Sequence, residues 1–419
     1  MTRPLAQSDS PAPYLTADLP GVGGRIKRYD EDFLVEELPL YAPCGNGTHT
    51  YFVIEKRGLT TLAAAKLVAR TLGRAPRDIG YAGLKDAHAV TRQTFSVEHV
   101  EPARVQGLDL ARLRVLSVDR HTNKLKLGHL AGNRFAIKMR DAVEGVLPAA
   151  RAIVDFLATR GVPNYFGPQR FGARGDNALV GLAVLHGDFA DAMAQLLGRP
   201  APVDCGEVRR ARQLFDQGRW DEAATAWPTA FGEQARICRA LAKAGGDLPS
   251  GWRAVDHTLR KLYLSAVQSE LFNRVVARRM ATMHRLEPGD LAWKHRNGAV
   301  FLVEDPAREQ PRCDSLEISP TGPLFGRRMT DPAGRPAQIE AEILASSGVD
   351  LHTLTRGEGR RLQGARRPLR VPVSSPMVEG GTDERGPFLR LTFDLPPGAY
   401  ATSLLREVCK NDVPASDTR

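Results

Sequence analysis

The chain has 419 residues, 42% of them hydrophobic and 25% charged, a globular balance long enough for two or more domains with cores of their own. Lys and Arg outnumber Asp and Glu by 58 to 48, for a formal net charge of +10 and a pI of about 9.5, which favours polyanionic partners through phosphate neutralisation. No run of about 18 apolar residues could span a membrane, the start MTRPLAQSDSPAPY lacks the apolar stretch of a secretory signal, and Cys44, Cys205, Cys238, Cys313 and Cys409 form no CxxC pair, so the expectation is a soluble, cytoplasmic chain without zinc or disulfides.

From about Arg25 to Arg140, short strands alternate with one helix. RIKRYDEDFLVEEL and THTYFVIEK carry β-like segments, and in the second Tyr51, Val53 and Glu55 oppose Phe52 and Ile54. Thr60-Thr61 can cap a helix through LAAAKLVARTL, which Gly73 closes. Strands follow near Ile79–Ala82, Thr94–Val97 and Leu113–Val118, then at NRFAIKMR, where Phe135, Ile137 and Met139 share one face. This succession predicts a mixed, mostly antiparallel sheet. A helix at about Leu147–Arg160 opens a helical stretch: NALVGLAVL, FADAMAQLL, EVRRARQLF, DEAATAW, EQARICRALAKA and the long HTLRKLYLSAVQSELFNRVVARRM. A hairpin is expected around Asn297-Gly298. Near RRPLRVPV the β character returns; FLRLTFDLP turns Leu389, Leu391, Phe393 and Leu395 inward, and a last helix runs from about Ala401 to Lys410. Strand-rich ends around a helical middle predict one α+β domain built from both termini and interrupted by a large, mainly helical insertion.

Arginine pairs and triplets recur at Arg209-Arg210-Ala211-Arg212, Arg278-Arg279, Arg327-Arg328, Arg360-Arg361 and Arg366-Arg367, which predicts an extended basic surface in the second half. The glycine-rich GVGG (Gly21 to Gly24) precedes a strand, the wrong context for a phosphate-cradling loop, and reads as a structural turn. The histidines show no HxH or HxxxH spacing and there is no GxSxG elbow, so no metal site is expected.

Three segments concentrate unusual residues. GYAGLKDAHAVTRQTFSV (Gly80 to Val97) sets Lys85 and Asp86 among small residues before a strand, which suits either a solvated turn or a sheltered, chemically active carboxylate. HTNKLKLGHLAGNRFAIK is a basic loop feeding a strand. VPNYFGPQRFG packs Asn164, Tyr165, Phe166, Gln169, Arg170 and Phe171 into one Gly/Pro-bounded loop, suited either to base stacking and phosphate contact or to packing on itself.

In this order, AGLKDAHAVTRQ, KLKLGHLAGNRF and VPNYFGPQRFG resemble the motifs of the TruD family of pseudouridine synthases, with YDEDFLVEE, LYLSAVQSELFNRVVARR, GARRPLRVPV and LPPGAYATSLLREV as further similar segments. The resemblance covers nearly all of residues 25–175 and patches beyond; residues 205–250 and 285–355 carry no matched motif. It implies a cofactor-free isomerase that converts a uridine of tRNA, in bacteria at position 13, to pseudouridine. It also implies a monomer whose partner is tRNA, with a discontinuous catalytic domain of pseudouridine-synthase type over residues 1–160 and 367–419. Residues 161–366 would be the insertion that clasps the RNA. Asp86 would be the catalytic aspartate, and Lys27 the cation that keeps it ionised against the desolvation cost, with Lys85 as the adjacent alternative. Phe33, Asn133, Phe135 and Tyr400 would line the pocket for a flipped base, Tyr400 standing where bacterial members often carry Phe. The period-2 pattern with Ile137 and Met139 accounts equally well for Phe135 as sheet core. Arg92, Gln93, Arg134, Arg170 and Arg174 are the RNA-contact candidates. Competing readings are the same chemistry on another RNA, an RNA-binding protein whose activity has decayed, and a glycosidase using Glu36 or Glu37 as a second acid.

Overall fold

The computed structural model describes residues 12–142 and 145–411; the ends of the expected catalytic domain, residues 1–11 and 412–419, and residues 143–144 lie outside the described residues. Two compact units are formed, one from residues 15–163 with 371–411 and one from residues 164–370 with 12–14. Among the described residues no helix is long and apolar enough to cross a membrane.

The first unit is built on a nine-stranded sheet. Its strands are β1 (Gly23–Arg25), β2 (Phe33–Pro39), β3 (His49–Arg57), β4 (Gly80–Tyr81), β5 (Val90–Glu98), β6 (Leu113–His121), β7 (Leu130–Ala142), β8 (Ser374–Asp383) and β9 (Gly386–Leu395). The order is β8-β9-β7-β2-β5-β3-β6, with β1 added to β7 and β4 to β5. Within this sheet only β2 and β5 run parallel; the other pairs are antiparallel. The C-terminal hairpin therefore sits beside the middle of the N-terminal segment, with Leu391 opposite Ile137 and Phe393 opposite Phe135.

Alternation decides which side chains face the helices. Phe33 and Val35, Phe135, Ile137 and Met139, and Leu389, Leu391, Phe393 and Leu395 project from one face into a single core. The helices α2 (Leu147–Arg160) and α3 (Ala401–Cys409) cover it with Ile153, Val154, Leu157, Leu404, Leu405 and Val408. On the same face, farther along the sheet, Phe52, Ile54, Phe95 and Val97 form a second core under α1 (Thr61–Leu72). The Thr60 hydroxyl caps α1 by accepting from Ala63 N at 3.1 Å, and Gly73 closes it at φ +66°. Between the two apolar cores lies a band of buried polar residues: Glu37, Lys56, Thr91, Gln93 and, less buried, Asn133.

One ion-pair cluster ties the two chain segments of this unit together. Arg140 on β7, 2% exposed, donates twice to Asp32 just before β2, at 2.8 and 2.7 Å, and twice to Asp383 at the end of β8, at 2.9 Å each. The guanidinium holds the Asp383 carboxyl well below the usual carboxylate range.

The second unit is mainly helical, its longest helix being His257–Arg278. It also contains a four-stranded sheet in the order Val300–Leu302, Leu291–Lys294, Ile318–Leu324, Ala365–Pro368, where the sequence predicts the hairpin at Asn297-Gly298 and β character near RRPLRVPV but no strand at Ile318–Leu324. Ile318–Leu324 reads ISPTGPL, and its two prolines and glycine hide a strand from pattern reasoning. The expected basic surface is also reduced. Arg212, Arg279 and Arg366 point inward to Asp204 (3.3 Å), Asp290 (3.0 Å) and Glu340 (2.5 Å), all within this unit.

Replacing Arg140 by Met should leave Asp32 as an unpaired buried carboxylate and cost about 3–5 kcal/mol of stability. Denaturant unfolding followed by circular dichroism measures it; a change below about 1 kcal/mol would show that the cluster is dispensable.

Candidate active site

The band of polar residues is capped by the loop between β4 and β5, which carries Gly83-Leu84-Lys85-Asp86. It has no regular secondary structure and is fixed by hydrogen bonds. Lys85 N donates to Thr61 Oγ1 at 2.8 Å, Thr61 Oγ1 donates to Gln93 Oε1 at 2.9 Å, and Gln93 Nε2 reaches Gly83 O at 3.4 Å. Lys56 Nζ donates to Asp86 O at 3.1 Å and to Leu59 O at 2.5 Å. The first turn of α1, β3 and β5 thus all grip the loop.

The Asp86 carboxylate meets Lys27, whose Nζ is 2.8 Å from Oδ2. Lys27 reaches it from a left-handed backbone conformation, φ +56°, which a non-glycine residue adopts only when its surroundings hold it there. The same ammonium lies 4.5 Å from the centre of the Phe33 ring, so the cation is held between an anion and a π face. The Lys27 side chain is 10% exposed and that of Asp86 is 39% exposed. The carboxylate is therefore less buried than its small neighbours suggest, and it is open to a reactant while its counter-ion is sheltered.

Lys85 turns away from Asp86, and the alternative in which it is the ion-pair partner does not hold. Its Nζ donates to Asn133 Oδ1 at 2.6 Å and lies in ion-pair contact, 3.2 Å, with Glu37 Oε2. Both charged side chains are nearly inaccessible, at 5% and 2%. Burial pushes Glu37 up and Lys85 down, each opposed by its attraction to the other. Burial also pulls Lys56 down to about 8, with the Asp86 carboxylate working against it.

Of the pocket residues, Phe33 and Phe135 are 4% and 7% exposed and meet edge to face at 6.3 Å; Phe135 also stacks on Phe393 at 5.4 Å. Phe135 is thus part of the core, as its alternation pattern allows. Asn133 is partly exposed and sits between Glu37 and Leu395 across the sheet. Tyr400 is half-buried at the start of α3, shortly after Leu395.

The five RNA-contact candidates divide. Arg92 lies on the opposite sheet face from Gln93, half-exposed, with Nε 3.0 Å from Glu55 Oε2. Arg134 is exposed and paired to Asp394 by two bonds of 2.8 and 2.9 Å. In the helical unit, Arg170 donates to Ser265 Oγ at 3.2 Å and lies 5.3 Å from the Phe166 ring. Two placements correct the expectation. Gln93 is 1% exposed and supports the loop from within, because its strand position faces α1. Arg174 is mostly buried, donating to Gln195 O at 3.1 Å and Arg199 O at 2.9 Å beside Asp176.

Lys56 escaped sequence reasoning, which gives Glu37 and Thr61 other roles, as a second acid of a glycosidase and as a helix cap. One signal was available: Lys56 continues the inward row of Phe52 and Ile54, and a lysine at an inward strand position needs a buried partner. Among the described residues no group of three or more His, Cys, Asp or Glu side chains is arranged to hold a metal ion.

The model of the family described as tRNA pseudouridine synthase D (TruD) matches residues 11–408. Similar proteins named tRNA pseudouridine synthase D occur in Geobacter sulfurreducens, 49% identical over 406 residues, and Geobacter metallireducens, 49% identical over 401. These alignments cover 97% and 96% of this chain and 98% of each relative. The crystal structure of a Methanosarcina mazei protein described as a tRNA pseudouridine synthase D (TruD) superposes with a TM-score of 0.79 at 28% identity, over 95% of this chain and 96% of that one. Sequence and fold agree over almost the full length, and the chain belongs to the tRNA pseudouridine synthase D (TruD) family.

Proposed function

We propose that this protein isomerises a uridine of tRNA, the one at position 13, to pseudouridine, with Asp86 as the reacting carboxylate. The sheet unit would be the catalytic domain and the helical unit the insertion. The observation that carries the reading is the Lys27–Asp86 pair: an accessible carboxylate whose 2.8 Å counter-ion is sheltered and clamped over an aromatic ring.

The reaction breaks the bond from ribose C1′ to uracil N1, turns the base, and joins C5 to C1′; the proton on C5 is lost and N1 regains one. No electron or group leaves the nucleotide. Asp86 can attack C1′ directly, or take the 2′ proton and open a glycal route. Either role requires the ionised form near neutral pH, and an ammonium at 2.8 Å favours that form. A stacked uridine is out of reach of a side chain on a loop, so the nucleotide must be flipped out of the RNA. Phe33 beneath Lys27, the Asn133 amide and the Tyr400 ring are the groups for such a base, Tyr400 offering the stacking face and Asn133 an edge contact. Arg92, Arg134 and Arg170, with exposed or partly exposed guanidinium groups, are the candidates for phosphate contact.

Asp86→Asn should lower pseudouridine formation in a tRNA transcript by more than about 1,000-fold while leaving tRNA affinity within a few-fold. Retained turnover would end the assignment. Tyr400→Phe should stay within about threefold of wild type, and Tyr400→Ala should lose about 5- to 150-fold in kcat/KM, the worth of one stacked base; equal activity of the two would remove Tyr400 from the stacking role. Because Lys56 titrates near 8, its ammonium holds Asp86 O below that pH and is discharged above it. The kcat/KM profile should accordingly fall on the alkaline side with an apparent pKa near 8, and Lys56→Arg, whose guanidinium stays charged, should move that limb upward. An unshifted limb in the arginine variant would assign it to another group.

A further inference from the structure

An ammonium group only donates hydrogen bonds, and this constrains whatever it touches. Lys85 Nζ stands 2.6 Å from one terminal atom of the Asn133 amide. That atom has to be the oxygen, since an amide nitrogen there would set donor against donor. The partner thus settles which way the amide points. Glu37, with Oε2 3.2 Å from the same Nζ, favours the charged form of Lys85. The room for this arrangement comes from Gly83, where a Cβ would lie only 3.2 Å from Lys85 Nζ. With Oδ1 engaged, the Asn133 amide presents its N–H donors away from Lys85, and they have no hydrogen-bond partner among the described residues.

Resting on the reading of Asp86 as a uridine-isomerising carboxylate, we infer that Lys85 is a specificity-determining positioning residue: by holding Asn133 Oδ1 it lets the amide offer only donors to the flipped pyrimidine. The two pyrimidines differ at ring position 4, where uracil carries a carbonyl acceptor and cytosine an amino donor. A donor-only amide matches the first and opposes the second. If the amide were free to turn over, it would match both. Lys85 therefore excludes cytidine without touching it.

The test is equilibrium competition binding of two tRNA transcripts, with uridine or cytidine at the target position. Wild type should prefer uridine by about tenfold or more, the value of one mismatched buried hydrogen bond. In Lys85→Met the preference should shrink to within about threefold, chiefly through tighter cytidine binding, because the amide can now reverse. Lys85→Arg, also a pure donor, should restore the preference. Since Lys85→Met strands a buried carboxylate, the double variant Lys85→Met/Glu37→Gln, which removes both charges, should show the same collapsed preference in a stably folded protein. A wild-type ratio retained in Lys85→Met or in the double variant overturns the inference, as does equal binding of the two transcripts by wild type. The ratio is read from binding alone, so absence of pseudouridine in the wild-type reaction would overturn the isomerase reading separately.

Discussion

Buried charge in this site has to be balanced side chain by side chain. Lys27 meets Asp86, Lys85 meets Glu37, and Lys56, with no exposed surface, spends its donors on the carbonyl oxygens of Asp86 and Leu59. Lys85 and Glu37, nearly inaccessible, would each cost several kcal/mol to bury alone, so removing either leaves a charge the interior cannot accept. The need for pairing explains features that otherwise look unrelated. Lys27 holds a left-handed backbone with its ammonium on Asp86, and at Gly83 a side chain would press on the ammonium of Lys85. The outcome is one accessible carboxylate held among cations that have nowhere else to go.

The sheet makes such pairing available. Its helix-facing side carries two apolar cores, one under α2 and α3 and one under α1, and between them the parallel junction of β2 and β5 carries a polar band, capped by the β4–β5 loop and touched by the first turn of α1. A parallel pair needs a long connection, and here that connection includes β3, α1 and the loop bearing Asp86. The connection that topology demands is the one that carries the Asp86 carboxylate. Strand β7 fixes the geometry from the other side: it pairs with β2 and with the C-terminal strand β9, and Arg140 locks both ends of the chain to it. Asn133, the partner of Lys85, lies on β7, so the strand that holds this amide also joins distant chain segments.

In the helical unit, arginine pairs that read as surface in the sequence split between inside and outside. Arg212, Arg279 and Arg366 pair inward with Asp204, Asp290 and Glu340. Local sequence does not distinguish the members of a pair such as Arg278-Arg279, because which one faces inward depends on where an acidic partner lies after folding. Gln93 and Arg174 follow the same logic, being polar residues whose partners are contributed by other elements.

Local pattern was enough for much of the architecture. Alternation at Phe135, Ile137 and Met139 and at Leu389 to Leu395 identified the inward faces, Thr60 and Gly73 marked the ends of α1, and the bounds of α2 were readable directly, since these features depend on neighbours in the chain. The motif segments carried the family and named Asp86, Lys27 and Asn133 as candidates. What sequence alone could not supply was partnership. ISPTGPL becomes a strand only because flanking strands receive it. Lys85 became a partner of Glu37 and Asn133, and Lys56 a support for Asp86, only once strands far apart in the chain were laid side by side. Propensity and periodicity are set by adjacent residues and are written in the sequence, whereas the pairing of buried charges is set by long-range register, which the tertiary fold alone decides.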